Sequence, residues 1–110
     1  MKFKTLCVAL LSLTITLMGN QAIAKELLIF GADWCPSCVK LKNFVNKTPN
    51  LFKKFKEVKI INIDKHPELK KELSITKIPT SVIFSDDGKI DTKKTGFSQT
   101  QYIDWLKNNE

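Results

Sequence analysis

The apolar pattern of the chain changes within Lys25-Glu26-Leu27-Leu28-Ile29-Phe30-Gly31-Ala32-Asp33-Trp34-Cys35-Pro36-Ser37-Cys38. Residues 27–30 are consecutively apolar, which is typical of a strand that is buried on both faces near the middle of a parallel sheet. From Pro36 onward the apolar residues recur three and four positions apart, which predicts a helix. The predicted inward face of that helix carries Cys38, Leu41 and Val45.

Cys35 therefore lies at a junction between a buried strand and a helix. Unpaired backbone N–H groups and the helix dipole at that position favour a thiolate. Pro36 fits the first helical turn because it has no N–H group to leave unpaired. Cys38 falls on the inward face, so the spacing predicts one exposed nucleophilic thiol and one shielded thiol.

The first 24 residues have the composition of a signal peptide. Lys2 and Lys4 form a basic start, residues 6–18 are mostly apolar, and small residues precede position 25 in Ala22-Ile23-Ala24. We predict cleavage after Ala24 and export to the periplasm or the exterior, which leaves residues 25–110 as one domain. An uncleaved membrane anchor is the alternative.

The charge of the chain has little pattern. The net charge is +7 at pH 7 and all 18 basic residues are lysines, which are scattered among acidic residues. Bidentate recognition of phosphate or guanine favours arginine, so we expect no nucleic-acid partner and interpret the lysines as solvated surface. The length allows one small domain, which we expect to be a monomer without a cofactor.

Two of the three cysteines remain after the predicted cleavage, because Cys7 lies in the signal peptide. A disulfide between Cys35 and Cys38 would close a very small loop and would constrain the unfolded chain little. A chemical role of the two thiols therefore explains the spacing of Cys35 and Cys38 better than a stabilising role does. A copper- or zinc-binding module is the alternative, but His66 is the only other soft or borderline ligand, and we interpret it as a surface residue rather than a metal ligand.

The rest of the chain predicts alternating strands and helices. We expect a short helical segment at Leu51, Phe52 and Phe55, strands over 58–63, 80–84 and 89–95, and a helix that opens at His66-Pro67-Glu68. Asp86-Asp87-Gly88 predicts a hairpin turn. The last helix is predicted to start at Ser98 with a capping box to Gln101. Its buried face carries Tyr102, Ile103, Trp105 and Leu106.

This order is a βαβ unit followed by a ββα unit. Together with Trp34-Cys35-Pro36-Ser37-Cys38 and Ile78-Pro79-Thr80, it resembles the thioredoxin superfamily over nearly all of residues 25–110. Ala32-Asp33-Trp34-Cys35 and Gly96-Phe97 are most similar to the periplasmic C-terminal domain of the transmembrane disulfide reductase and to small exported thioredoxin-like proteins. The resemblance implies an α/β fold with a central mixed four-stranded sheet and helices on both faces.

The resemblance also implies the roles of the site residues. Cys35 would attack a substrate disulfide and Cys38 would resolve the mixed disulfide, so the chain would be a thiol–disulfide oxidoreductase. Pro79 would follow a cis peptide bond, and the backbone of Ile78 would pair with the substrate chain. Trp34, Ile78 and Gly96-Phe97 would form the apolar rim of the docking surface.

Two departures from the family pattern concern the site. Ile29 and Ile60 stand where thioredoxins have a buried aspartate and its lysine partner, so the resolving thiol lacks its usual proton acceptor. Pro36 and Ser37 would modulate the reduction potential of the cysteine pair. Ser37 would stabilise the Cys35 thiolate less than the histidine that strong oxidants have at this position. We therefore expect a reductant or electron relay supplied by a membrane disulfide reductase, with an oxidant or isomerase as the alternative.

Overall fold

The computed structural model describes residues 25–109, and the predicted signal peptide lies outside this range. The strands are β1 (Lys25–Gly31), β2 (Phe55–Asn62), β3 (Thr80–Phe84) and β4 (Ile90–Thr95). The α-helices are α1 (Pro36–Lys47), α2 (Pro67–Glu72) and α3 (Gln99–Asn108), and two short 3-10 turns span Pro49–Phe52 and Ile63–Lys65. None of the helices within residues 25–109 has the length and apolar character needed to cross a membrane.

The four strands form one mixed sheet in the order β2-β1-β3-β4. β1 pairs in parallel with β2 and antiparallel with β3, and β4 is antiparallel to β3. The apolar strand predicted for the middle of the sheet is therefore confirmed in that position. Because β1 and β2 run in parallel, the segments that follow them begin side by side, where Gly31 is in register with Asn62.

Helices cover both faces of the sheet, as predicted. Leu27 and Ile29 of β1 point to a core that α1 and α3 complete with Leu41, Phe44, Tyr102 and Leu106. Phe30 of β1 points to the opposite core, which α2 and its flanking segments cover with Ile63, Leu69, Leu73 and Ile75. The alternation of side chains along a strand thus lets one central strand supply both cores.

Three local predictions were wrong or need adjustment. Phe55 is in β2 rather than in a helical segment, because it pairs with Lys25 and is buried. Phe44, not Val45, completes the buried face of α1, since Val45 is half-buried. Ser98 is the N-cap of α3, but its side chain makes no capping hydrogen bond, so the predicted capping box does not form.

Candidate active site

Cys35 is the N-cap residue of α1, directly after the segment that follows β1. Its backbone is extended, with φ −95° and ψ 111°, and its Sγ accepts the backbone N–H of Cys38 at 3.3 Å. Pro36 occupies the first helical turn. Cys35 and Cys38 form a disulfide with their Cα atoms 5.2 Å apart. The predicted junction is confirmed, and the sulfur of Cys35 receives an N–H group that the helix cannot pair internally.

Both cysteines are buried. Cys35 is 6% exposed and Cys38 is 9% exposed, so the prediction of one exposed and one shielded thiol is wrong for the disulfide form. The reason is local packing, since Ala32 and the two cysteines form a small cluster that Ile78 covers. The two sulfurs therefore differ in their hydrogen bonding rather than in their exposure.

Gly31 makes a close approach to Cys38 that the sequence analysis missed. A Cβ atom added at Gly31 would lie 3.0 Å from the Cβ and 3.1 Å from the Sγ of Cys38. Such contacts are tighter than nine in ten real Cβ contacts, so a side chain at Gly31 would require Cys38 to shift by a few tenths of an ångström.

The peptide bond between Ile78 and Pro79 is cis, as the resemblance implied. The carbonyl oxygen of Ile78 lies 3.9 Å from the Sγ of Cys35. Pro79 is fully buried, and its carbonyl oxygen accepts the backbone N–H of Gly96 at 2.7 Å. Gly96 has φ +81°, a value that favours glycine. The segment before β3 thus places a backbone carbonyl beside the reactive sulfur, and the residue after β4 holds that segment.

The predicted rim residues differ in their surroundings. Trp34 is 70% exposed, whereas Ile78, Gly96 and Phe97 are half-buried. The ring of Phe97 packs against the rings of Phe44 and Tyr102, with centroids 5.4 Å and 5.7 Å apart. Phe97 is therefore part of the core as well as of the rim. Trp34 is the most exposed of the four rim residues.

Pro36 and Ser37, the two residues between the cysteines, are exposed. Within the described part of the chain, the hydroxyl of Ser37 makes no hydrogen bond to the sulfur of Cys35. The hydrogen bond that this sulfur accepts comes from the backbone N–H of Cys38.

An open groove of about 310 Å³ runs beside Cys38, between α1 and β2. Ile29 and Ile60, which are in register with each other, both line it. Ile29 is 2% exposed but Ile60 is 41% exposed, so only the first of these two positions is buried in this chain. Among residues 25–109 no Asp or Glu side chain is buried, so no buried carboxylate lies under the disulfide.

No group of three or more His, Cys, Asp or Glu side chains within residues 25–109 is arranged to hold a metal ion. His66 is exposed at the start of α2, where its Nδ1 lies 3.3 Å from Oε1 of Glu68. This position agrees with the interpretation of His66 as a surface residue.

Asp64 is a second residue that sequence reasoning missed. Its Oδ2 accepts the indole N–H of Trp34 at 2.8 Å across a sequence separation of 30 residues. No local sequence pattern indicates a contact between two residues so far apart in the chain. The parallel pairing of β1 and β2 is the one signal that could have predicted it, because it brings the segments after the two strands together.

A disulfide at the N-terminus of a helix, beside a cis-proline segment on a mixed four-stranded sheet, defines a thioredoxin-like thiol–disulfide oxidoreductase. The "Thioredoxin" family model matches residues 18–108, and the chain belongs to this family. The thioredoxin of Rickettsia bellii is 33% identical over 81 residues, which cover 73% of this chain and 76% of that protein.

Solved structures agree with this assignment. Oxidized mitochondrial thioredoxin 3 of Saccharomyces cerevisiae matches with a TM-score of 0.66 and 27% identity, over 76% of this chain and 77% of that one. Fasciola hepatica thioredoxin matches with a TM-score of 0.69 over 88% of this chain and 91% of that one, and at 21% identity it supports the fold alone. The protein is a thiol–disulfide oxidoreductase with Cys35 and Cys38 as its redox pair.

Proposed function

We propose that the protein is an exported reductant or electron relay that acts on protein disulfides. The observation that carries the proposal is the position of the Cys35 sulfur at the N-terminus of α1, where it accepts the N–H of Cys38 and lies beside the carbonyl of Ile78. A reactive sulfur flanked by a backbone acceptor suits an extended substrate chain that presents a disulfide.

The reaction begins with the dithiol form of the protein. The Cys35 thiolate attacks one sulfur of the substrate disulfide, a mixed disulfide forms, and the other substrate sulfur leaves as a thiolate. Cys38 then loses its proton and attacks the Cys35 sulfur, which releases the second substrate sulfur and leaves the Cys35–Cys38 disulfide. Two electrons pass from the protein to the substrate, and no cofactor takes part.

Docking would involve the rim of the site. Trp34 offers its exposed ring, and Ile78 offers a half-buried side chain and a backbone beside Cys35. Gly96 and Phe97 lie at the end of β4, where Gly96 holds the cis-proline segment through Pro79. This surface is mostly apolar, which suits the unfolded or extended segments in which protein disulfides are accessible.

The direction of electron flow follows from the stability of the thiolate. Groups that stabilise the Cys35 thiolate stabilise the dithiol form and make the disulfide more oxidising. Ser37 can offer the Cys35 thiolate only a weaker hydrogen bond than the histidine of strong oxidants, which supports a reducing pair. We expect a reduction potential nearer to about −270 mV than to about −120 mV, measured against glutathione buffers. A reduction potential near about −120 mV would assign the oxidant role instead.

The activity is tested with insulin as the protein disulfide and dithiothreitol as the electron donor. We expect residues 25–110 to catalyse insulin reduction, and we expect Cys38→Ala to trap mixed disulfides in cells because it leaves Cys35 without its resolving thiol. Copper or zinc retained stoichiometrically through purification, without insulin reduction, would support the metal-binding alternative.

Export is proposed from residues 1–24, which combine a basic start, an apolar run and Ala22-Ile23-Ala24. An exported reductant needs electrons from across the membrane, so its donor would be a membrane disulfide reductase. N-terminal sequencing of the protein recovered from the periplasm should begin at Lys25. A chain that keeps Met1 and stays with the cytoplasmic fraction would contradict export, while retention of Met1 in the membrane fraction would indicate an anchor.

A further inference from the structure

The end of the domain opposite the disulfide collects lysines. α1 starts at the disulfide and ends at Lys47, and residues 47–56 contain no acidic residue. α3 ends beside this segment, because Nζ of Lys54 donates a hydrogen bond to the backbone carbonyl of Leu106. The lysines that share this end of the domain are Lys47, Lys53, Lys54, Lys56 and Lys107.

The charge of these five lysines equals the formal net charge of residues 25–110, which contain 16 lysines and 11 acidic residues. The charges of the remaining side chains in that range therefore balance. Lysines are scattered along the sequence, but the fold brings these five together at one end. A concentration of one sign of charge attracts and orients a surface of the opposite sign. The domain thus has a cationic end and a redox end.

An open groove of about 360 Å³ lies at the cationic end, between α3 and the segment that precedes β2. Leu106 is buried and Ile103 is half-buried, whereas Lys53 and Lys107 are exposed, so the groove has an apolar floor and a charged rim. None of the described residues that line it is acidic. Its lysines are Lys53, Lys54 and Lys107, and its apolar residues are Leu51, Ile103 and Leu106.

We propose that this groove and the lysines around it bind the surface of a membrane that is rich in anionic phospholipids. The lysines pair with lipid phosphate groups, and the apolar floor accepts the glycerol and upper acyl region of a lipid. Lysine ammonium groups are point charges that need no fixed partner geometry, which suits mobile headgroups. The planar fork of arginine, which suits the fixed carboxylates of an acidic protein, is absent from the chain.

Binding at this end leaves the redox pair accessible. α1 has 12 residues and is therefore about 18 Å long, and Cys35 caps its opposite end. The disulfide thus faces away from the lipid while the protein is held at the membrane. This inference goes beyond the proposed function and does not depend on the direction of electron flow.

The test measures co-sedimentation with lipid vesicles of residues 25–110, which contain the whole sheet and both of its cores. We expect binding to vesicles of phosphatidylglycerol and phosphatidylcholine, weakened by added salt, and no binding to phosphatidylcholine alone. A lysine near an anionic surface contributes about fivefold in affinity, so the double variant Lys53→Gln, Lys107→Gln should bind roughly 25-fold more weakly. Failure of the wild type to bind the anionic vesicles would overturn the inference.

A matched control separates the groove from total charge. Lys70 and Lys71 are exposed on α2, which covers the other face of the sheet. The double variant Lys70→Gln, Lys71→Gln loses the same two charges, but its affinity for the vesicles should stay within about twofold, because exposed charges far from the lipid are screened. An equal loss of affinity in the two double variants would mean that net charge alone drives binding, and would overturn the assignment to the groove.

Nuclear magnetic resonance locates the contact. Addition of a short-chain phosphatidylglycerol should shift the backbone amide signals of Leu51 and Ile103, which line the groove. The indole signal of Trp34, which precedes Cys35 at the redox end, should stay in place. Shifts confined to Trp34 and its neighbours would place the lipid at the disulfide and would overturn the inference.

Two other anions test the choice of a lipid surface. Poly-glutamate that binds through Lys53 and Lys107 more tightly than the vesicles do would indicate an acidic protein instead, and complete displacement of the vesicles by inorganic phosphate would indicate a site for free phosphate. Either result would overturn the inference. The Lys53→Gln, Lys107→Gln variant should reduce insulin as the wild type does, and a protein that binds the vesicles but does not reduce insulin would contradict the proposed function alone.

Discussion

The two long helices of the protein begin in different ways. At α1 the cap is Cys35, whose sulfur accepts the N–H of Cys38 at 3.3 Å. At α3 the cap is Ser98, which has the extended backbone of a capping residue but makes no hydrogen bond with its side chain. The start of α1 is thus specified by the group that performs the chemistry, whereas α3 is positioned by the residues it buries further along, Tyr102 and Leu106.

Because of this difference, we expect substitution at the start of α1 to affect activity and substitution of the buried residues of α3 to affect stability. Substitution of the α1 cap should remove the chemistry and leave a folded domain, because Leu41 and Phe44 still anchor that helix in the core. Substitution of the buried residues of α3 should weaken the fold, and substitution of its cap should do little. The following predictions test this order, from the largest effect to the smallest.

Cys35→Ala should reduce insulin-reducing activity to the uncatalysed rate, because the remaining thiol, Cys38, cannot form an internal disulfide and so cannot complete the exchange. The cost in stability should be about 0.5–2 kcal/mol, the usual range for a lost helix cap. Turnover assays and urea unfolding of both proteins in their reduced forms measure the two effects. Ser37→Ala is the control and should remain active. Substantial turnover by Cys35→Ala would contradict the assignment of the nucleophile.

Leu106→Ala should destabilise the protein by about 2–5 kcal/mol, because it leaves a cavity where a side chain that is 2% exposed packs between α3 and the sheet. The backbone carbonyl of Leu106, which accepts a hydrogen bond from Lys54, is retained in this variant. Urea unfolding measures the change. The exposed neighbour Lys107 provides the comparison, since Lys107→Ala should change stability by less than about 0.5 kcal/mol. Equal effects of the two substitutions would show that packing does not anchor α3.

Tyr102→Phe should cost about 1–3 kcal/mol, because it leaves the hydroxyl of Ser81, which is fully buried, without its partner at 2.7 Å. Addition of Ser81→Ala should recover part of this loss. Burial raises the pKa of Tyr102, against the opposing effect of the Ser81 hydrogen bond.

The raised pKa gives this prediction a pH dependence. The folded state keeps the phenol of Tyr102 protonated, so its contribution is complete below the unfolded pKa of about 10 and is lost as the pH rises above it. Tyr102 is the sole tyrosine of the chain, so phenolate absorbance reports its ionisation directly. Ionisation near pH 10 without unfolding would contradict the buried position, and Tyr102→Phe should lack this part of the alkaline decline.

Ser98→Ala should change stability by less than about 0.5 kcal/mol, although a capping serine often contributes about 1 kcal/mol. The reason is that the side chain of Ser98 forms no capping bond. Urea unfolding at neutral pH tests this. A loss above 1 kcal/mol would mean that the capping box predicted from Ser98 and Gln101 forms in solution.

The sequence predicted the elements whose signals are local. The apolar run of β1, the proline at the start of α1 and the turn at Asp86-Asp87-Gly88 all depend on residues that are close in the chain, and the structure confirms each. The cis bond before Pro79 followed from the resemblance to a family. It would not have followed from composition or periodicity.

The features that the sequence could not predict depend on tertiary contacts. Phe55 has the spacing of a helix, but its pairing with β1 places it in a strand. The bond between Trp34 and Asp64 requires knowledge of which segments meet at the end of the sheet. The burial of Cys35 depends on Ile78, which is 43 residues away in the chain and covers the cysteine cluster.

Gly31 has a consequence for how this protein can be altered. One side of the disulfide rests against Gly31, where an added side chain would require Cys38 to shift, and the other side carries Pro36 and Ser37, which are exposed to solvent. A change of reduction potential is therefore accessible through the two exposed positions without rebuilding the sheet. The inner face is closely packed against the redox pair, and the outer face is where engineering or divergence can adjust its chemistry.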